Sequence, residues 1–416
     1  MADAAIAHPE ESNPTSSRWL VLVILITVLV MVLFVSGWIP WPWGNSKLAL
    51  LQDLIADARS PDNDQRIPAL LQLGQHREFL PDSLPAILES LNHREELVRN
   101  AARLAIKDLG DEVVPLLKPW LESEDIQQYA MGAEAVRALG PTADVWTDHL
   151  IARLDHEDMR FRLASLFALR EVGPSAIRSL DACIRLLDDP EFNIVINACR
   201  VLAGLGPAAN KATPKIMTLL PDDDKNILSV RSTAAETLGA LGPVEGIDVV
   251  GAISAKLDAF YHLEKERALI GLGYLGKAAA PALPKIKSLM GDSADPTNQT
   301  SRSVMPRAAL TYYLVSGDLE RTLSVLEALL ESPSYENETI LRIAELRDKA
   351  KPLVPGLIKK LDASEEFTRE QAVWALAEIG PAAAEAIGKL KQLADRDPDA
   401  LIRDAARRAL TKIKKS

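Results

Sequence analysis

Cysteine is nearly absent from this chain of 416 residues: there are two, Cys183 and Cys199. Two thiols cannot frame a disulfide scaffold. Both fall at apolar positions of neighbouring predicted helices, which favours buried free thiols and leaves a bridge open. A basic stripe is also missing. The net charge is −11, and an acidic surface opposes the phosphate contacts on which nucleic-acid binding rests, so nucleic acid is not expected as a partner. No alternating apolar–polar pattern of strand length appears. Nor does a Gly-x-Ser-x-Gly elbow, a phosphate-binding glycine loop or a paired-cysteine motif.

Long hydrophobic runs are missing too, with one exception. Residues 19–39, WLVLVILITVLVMVLFVSGWI, carry no charge, and Thr27 and Ser36 are their only hydroxyls. Such a run forms roughly 30 Å of helix, enough to cross a bilayer core. Trp19 stands at one end and Trp38, Trp41 and Trp43 cluster at the other, where amphipathic rings favour the membrane interface. A cleaved signal would have a shorter apolar core and a basic start, whereas only Arg18 is basic ahead of the run. A retained single-pass anchor is therefore expected, with residues 1–18 as a disordered tail and 40–46 as a short linker. Arg18 leans the N-terminus inward and places residues 47–416 slightly in favour of the extracytoplasmic side.

Beyond Lys47 the chain repeats. Glycines expected to end helices fall at Gly74, Gly110, Gly140, Gly173, Gly206, Gly242, Gly276, Gly317 and Gly380, five of them followed by proline. Glycine ends a helix, and proline then starts the next. Between Gly317 and Gly380 the intermediate turn is expected near Ala350-Lys351-Pro352. Eight residues before the glycine stands a small side chain (Ala102, Gly132, Ser165, Ala198, Ala234, Ala268, Ala372). Directly before it stands an aliphatic one (Leu109, Leu139, Val172, Leu205, Leu241, Leu275, Ile379). A shorter amphipathic helix precedes each such helix. A period of this size signals a solenoid of stacked helix pairs.

The pattern of residues 367–381, FTREQAVWALAEIGP, resembles HEAT repeats, in particular the short variety named after phycobilisome lyases. The resemblance covers about residue 47 to the C-terminus. It implies an all-α, armadillo-like superhelix of about eleven helix pairs whose second helices line the concave face. Gly291 to Pro306 inserts a polar loop, a further contact element if it is more than an excursion.

Eleven residues before the glycine an arginine recurs: Arg99, Arg162, Arg231, Arg369 and, in the terminal unit, Arg403. Tyr129, Val195 and Lys265 break this column. The resemblance implies that these arginines form a structural ladder with acids of adjacent repeats, and Glu95, Asp158, Glu365 and Asp399 lie nearby. Trp374, between Val373 and Ala375 on a second helix, is a possible partner contact, as are Arg407 and Arg408 in the basic last unit. Iron hydroxylases on this fold carry several His-Glu dipeptides. Here there is one, His156-Glu157, with His149 not far off, and a solvated turn is the expected reading. No catalytic, cofactor-binding or metal-binding residue is assigned. The sequence reads as a membrane-anchored, non-catalytic scaffold binding a protein partner. The rival is an enzyme on the same scaffold, a metal-dependent oxygenase or a tetrapyrrole lyase.

Overall fold

The computed structural model describes residues 44–222, 227–292 and 304–414. The apolar run of residues 19–39, the tail before it and most of the 291–306 insertion lie outside the described residues. Among those described there is no β-strand, and eleven helix pairs succeed one another. The described residues divide into two compact units, one ending at Leu116 and the other beginning at Leu117.

The first unit holds two pairs, Gly44–Ala58 with Asn63–Gln75 and Leu84–Leu91 with Glu96–Leu109. Its first helix begins at Gly44, inside the stretch read from sequence as linker. Gly74 does not end its helix. It is buried within Asn63–Gln75, and a Cβ there would stand 2.6 Å from the Ala105 Cα. This glycine serves close helix contact, not a turn.

The second unit stacks nine pairs. Their second helices are Ile126–Leu139, Met159–Val172, Phe192–Leu205, Leu228–Leu241, His262–Leu275, Met305–Ser316, Glu336–Glu345, Glu366–Ile379 and Ala400–Lys414. Six of these span 14 residues, as does Glu96–Leu109 in the first unit. Their boundaries follow from local chemistry. Asp125 accepts the backbone N–H groups of Gln127 and Gln128, and Asp158 that of Arg160, satisfying donors that a helix start leaves free. At the other end, eight of the nine glycines of the column adopt a positive φ. In the repeat without a glycine, the residue with positive φ is Arg347 (φ 55°). Leu346 before it is buried as the other column aliphatics are. The expected turn at Ala350 is therefore corrected to Arg347, which accepts a conformation costing a side chain about 1–2 kcal/mol.

The small-residue column lies in the seam. Ala102, Ser165, Ala198, Ala234, Ala268 and Ala372 have no solvent exposure. The helices Leu228–Leu241 and His262–Leu275 come into backbone contact: a Cβ on Gly239 would stand 2.2 Å from the Gly271 carbonyl oxygen. One helical run among the described residues, Phe192–Met217, is long and apolar enough to cross a bilayer. Half of its most apolar window is buried inside the fold, and Gly206 turns the chain within it. It is core, formed by one second helix and the first helix that follows.

Cys183 and Cys199 are both buried and both free. Burial pushes their thiols up to about 11 and about 12 respectively, far from the thiolate form that reacts. Native protein at pH 8 should leave both unalkylated by iodoacetamide, with two adducts appearing by mass spectrometry only after denaturation. An adduct on folded protein would show that this seam opens.

Candidate functional site

The arginine column builds a ladder from backbone and carboxylate together. Arg162 Nη1 donates to the His156 and Glu157 carbonyls at 2.8 and 2.9 Å. Arg369 does the same to Ala363 and Ser364 at 3.0 and 3.1 Å. Arg403 does so to Asp397 and Pro398 at 2.7 and 3.0 Å. In the first unit Arg99 reaches His93 and Arg94 at 2.8 and 2.7 Å. In each case the guanidinium closes the loop between the two helices of its own pair. In Arg162, Arg231 and Arg369 the guanidinium also crosses to an acid of the next repeat. Arg162 meets Asp189 (Nη2 to Oδ1, 3.0 Å), and Arg369 meets Asp397 (Nε to Oδ2, 2.9 Å; Nη2 to Oδ1, 3.2 Å). Arg231 meets Glu264 of the next repeat at 2.9 Å and Asp222 of its own loop at 2.8 Å. Bonding to these carboxylates raises the pKa of Arg231 and Arg369 above the ordinary arginine value.

The acids are not those nearest in sequence. Asp158 is occupied by the backbone and guanidinium of Arg160, which hold its carboxyl down at about 2. Asp399 accepts from the Leu401 N–H. Glu95 and Glu365 stand at helix starts. The true partners, Asp189 and Asp397, each also accept an N–H of their own loop, from Glu191 and Asp399 at 2.9 Å. One carboxylate thus shapes a loop and ties it to the previous repeat.

Tyr129 interrupts the column, and the structure shows what replaces the missing guanidinium. Arg153, from the next repeat, reaches the Glu122 and Ser123 carbonyls and the Glu124 carboxylate. Its guanidinium lies over the rings of Tyr129 and Phe161, 5.6 and 5.4 Å from their centroids. The Tyr129 hydroxyl shares a hydrogen bond with Ser165 (2.6 Å), and burial pushes it up to about 12. The loop is still closed, from the opposite side.

Trp374 is 43% exposed, on the helix Glu366–Ile379. Seven residues earlier, on the same face, Phe367 is 54% exposed. On the adjoining helix Ala400–Lys414 the same two registers carry Leu401, 71% exposed, and Arg408. The two helices pack side by side, and the Lys412 ammonium joins Glu378 across them at 2.8 Å. Trp374 and Arg408 therefore share one surface, with Phe367 and Leu401 completing it. Arg408 pairs with Asp404 on that helix. Arg407 instead donates to the Ala394 carbonyl at 3.0 Å and braces its own pair. Phe367 and Leu401 are absent from the sequence-level selection, although the repeat register that places Trp374 also places them.

His156 is engaged structurally. Its Nδ1 accepts the Asp158 N–H at 3.0 Å and its ring stacks on Phe161 at 4.0 Å. It borders an open cleft of about 470 Å³ between successive inter-helix loops, with Glu157, Arg162 and Asp189 also on the wall. His149 lies edge-on to Trp146, while the adjacent Asp148 pairs with Arg178. The two form no dyad. Among the described residues no three histidines, cysteines or carboxylates are arranged to hold a metal ion.

No curated protein matches the chain. Among solved structures it is similar to importin beta in an ammonium sulfate condition, with TM-score 0.48, 15% identity, and coverage of 88% of this chain and 58% of that one. It is also similar to Kap121p, with TM-score 0.38, 13% identity, and coverage of 89% and 50%. The chain thus spans between half and three fifths of the length of these structures. Residues 323–411, which contain Trp374, Arg369 and most of the final pair, match the family of HEAT repeats.

Proposed function

We propose that this chain is a non-catalytic HEAT-type scaffold, held at a membrane by residues 19–39, that binds a protein partner on the exposed face of its second helices. One observation carries the reading: Phe367, Trp374 and Leu401, three large apolar side chains, stand exposed at matching registers of two adjacent helices. Large exposed apolar side chains grouped on one surface are the usual mark of a contact site, and tryptophan and arginine dominate binding energy at such sites. The short repeats suit the lyase-type variety of the family, but repeat type alone gives no lyase activity. The anchor rests on the length and composition of residues 19–39, and Arg18 supports an inward N-terminus.

Paired substitutions Phe367→Asp and Trp374→Asp in the full chain should leave the thermal transition unchanged and remove cross-linked partners recovered by the parent from membranes. Recovery of the same partners by the variant would overturn the assignment of this face. Deleting residues 19–39 should move the protein from the carbonate-resistant membrane fraction to the supernatant, and retention there would overturn the anchor. Stoichiometric iron or zinc in the purified full chain would favour the oxygenase reading instead.

A further inference from the structure

The Trp374 face, on the reading that it binds a protein partner, also specifies the partner's charge. Glu366 opens the helix Glu366–Ile379, and Asp399 directly precedes the helix Ala400–Lys414 packed beside it. Phe367 follows Glu366, and Leu401 stands two residues after Asp399. Glu366, when protonated, donates a hydrogen bond to Asp399, which raises its pKa; the same bond and the Leu401 N–H lower that of Asp399. Two carboxyl groups from adjacent helices thus meet at one end of the apolar patch. The cations whose charge reaches them are Arg369 and Arg403, and both are committed. Arg369 is held by Asp397 and two loop carbonyls, Arg403 by the carbonyls of Asp397 and Pro398.

Glu370 adds a third carboxylate. It lies three residues after Phe367 and four before Trp374, exposed on the same face. At the corresponding registers of the next helix stand Asp404 and Arg408, which pair with each other. Where that helix places arginine, this one places tryptophan, and Glu370 has no cation within a turn on its own helix. On the flanking helices Arg342 is held by Glu338 and Glu345, and Lys412 by Glu378. We propose that the segment seated on this face is both apolar and cationic. Its lysines or arginines meet Glu366, Asp399 and Glu370 between apolar contacts to Phe367, Trp374 and Leu401. Opposite charge around an apolar contact selects the partner and fixes its register.

The test uses the full chain in zwitterionic nanodiscs with Phe367→benzoylphenylalanine as a photo-cross-linker. Val145→benzoylphenylalanine, at an exposed position elsewhere in the same unit, reports non-specific contact. The probes are three synthetic twelve-residue peptides: leucine with lysine, leucine with glutamate, and serine with lysine. At position 367 the leucine–lysine peptide should label about tenfold more than either other peptide, and about tenfold more than it does at position 145. Glu366→Gln with Glu370→Gln should lower that labelling about tenfold with no fall in melting temperature. Leucine–glutamate labelling equal to leucine–lysine, or labelling indifferent to the two glutamines, would overturn the cationic partner and leave the apolar face standing. Serine–lysine labelling equal to leucine–lysine, or equal labelling at position 145, would overturn the face itself and the proposal with it.

Discussion

Gly239→Ala should lower the stability of the second unit by about 3 kcal/mol or more, because one added methyl has nowhere to go. The new Cβ would lie 2.2–2.5 Å from the oxygen, Cα and carbonyl carbon of Gly271. These are backbone atoms of a neighbouring helix, so no rotamer change relieves the clash, and the helices must part. Gly271 is itself pressed against the Ala235 carbonyl of the same facing helix, where a Cβ would stand at 2.5 Å, so the two backbones touch along more than one turn. Gly204→Ala is the control. It also sits within a second helix, but a Cβ there meets nothing within 4 Å, and alanine should stabilise the helix by about 0.5–1 kcal/mol. Urea titrations followed by circular dichroism on the full chain in detergent would give both values. Equal midpoints for Gly239→Ala and the parent would show that these two helices stand farther apart than described.

The contrast between these glycines shows how far the sequence could be read. Turn glycines announce themselves by period and by the proline after them, and eight of nine take a positive φ. Gly74 shares the period but not the conformation, because its role is set by Ala105 on another helix, which no local pattern contains. Arg347 presents the converse case. A left-handed residue without glycine is invisible to a search for glycine, and only its offset of 33 residues from Gly380 could have pointed to it. The helix pairs were legible throughout because small and aliphatic columns recur at fixed register.

The site was legible in part, for a physical reason. The arginine column is a property of one helix and can be read off its period. The acid partner belongs to a loop some 27 or 28 residues further on, as for Asp189 and Asp397. Acids close in sequence were the wrong choice because a carboxylate at a helix start is drawn to that helix's own N–H groups, as at Asp158 and Asp399. Exposure was harder still. Trp374 and Val373 are neighbours in an apolar stretch, yet one stands out and the other is buried, since a single residue turns the side chain about 100° around the helix.

The ladder makes the other large prediction. Arg369 and Asp397 are both nearly enclosed, with side-chain exposures of 13% and 4%. Asp397→Leu should cost about 3 kcal/mol, since it strands a guanidinium away from water and releases the Asp399 N–H. Arg369→Met should cost a similar amount by stranding the carboxylate and two loop carbonyls. The double variant should lose about 2 kcal/mol less than the sum of the two, the signature of direct coupling. By contrast, Lys285→Ala removes an exposed partner of Asp258 on the outer edge and should cost under about 0.5 kcal/mol. Denaturation midpoints for the four variants decide the matter; additive losses for Arg369 and Asp397 would mean that the rung contributes nothing as a pair. A coupled inner rung beside a dispensable outer pair would locate the stability of the stack inside the seam. An exposed position such as Trp374 would then be free to serve recognition.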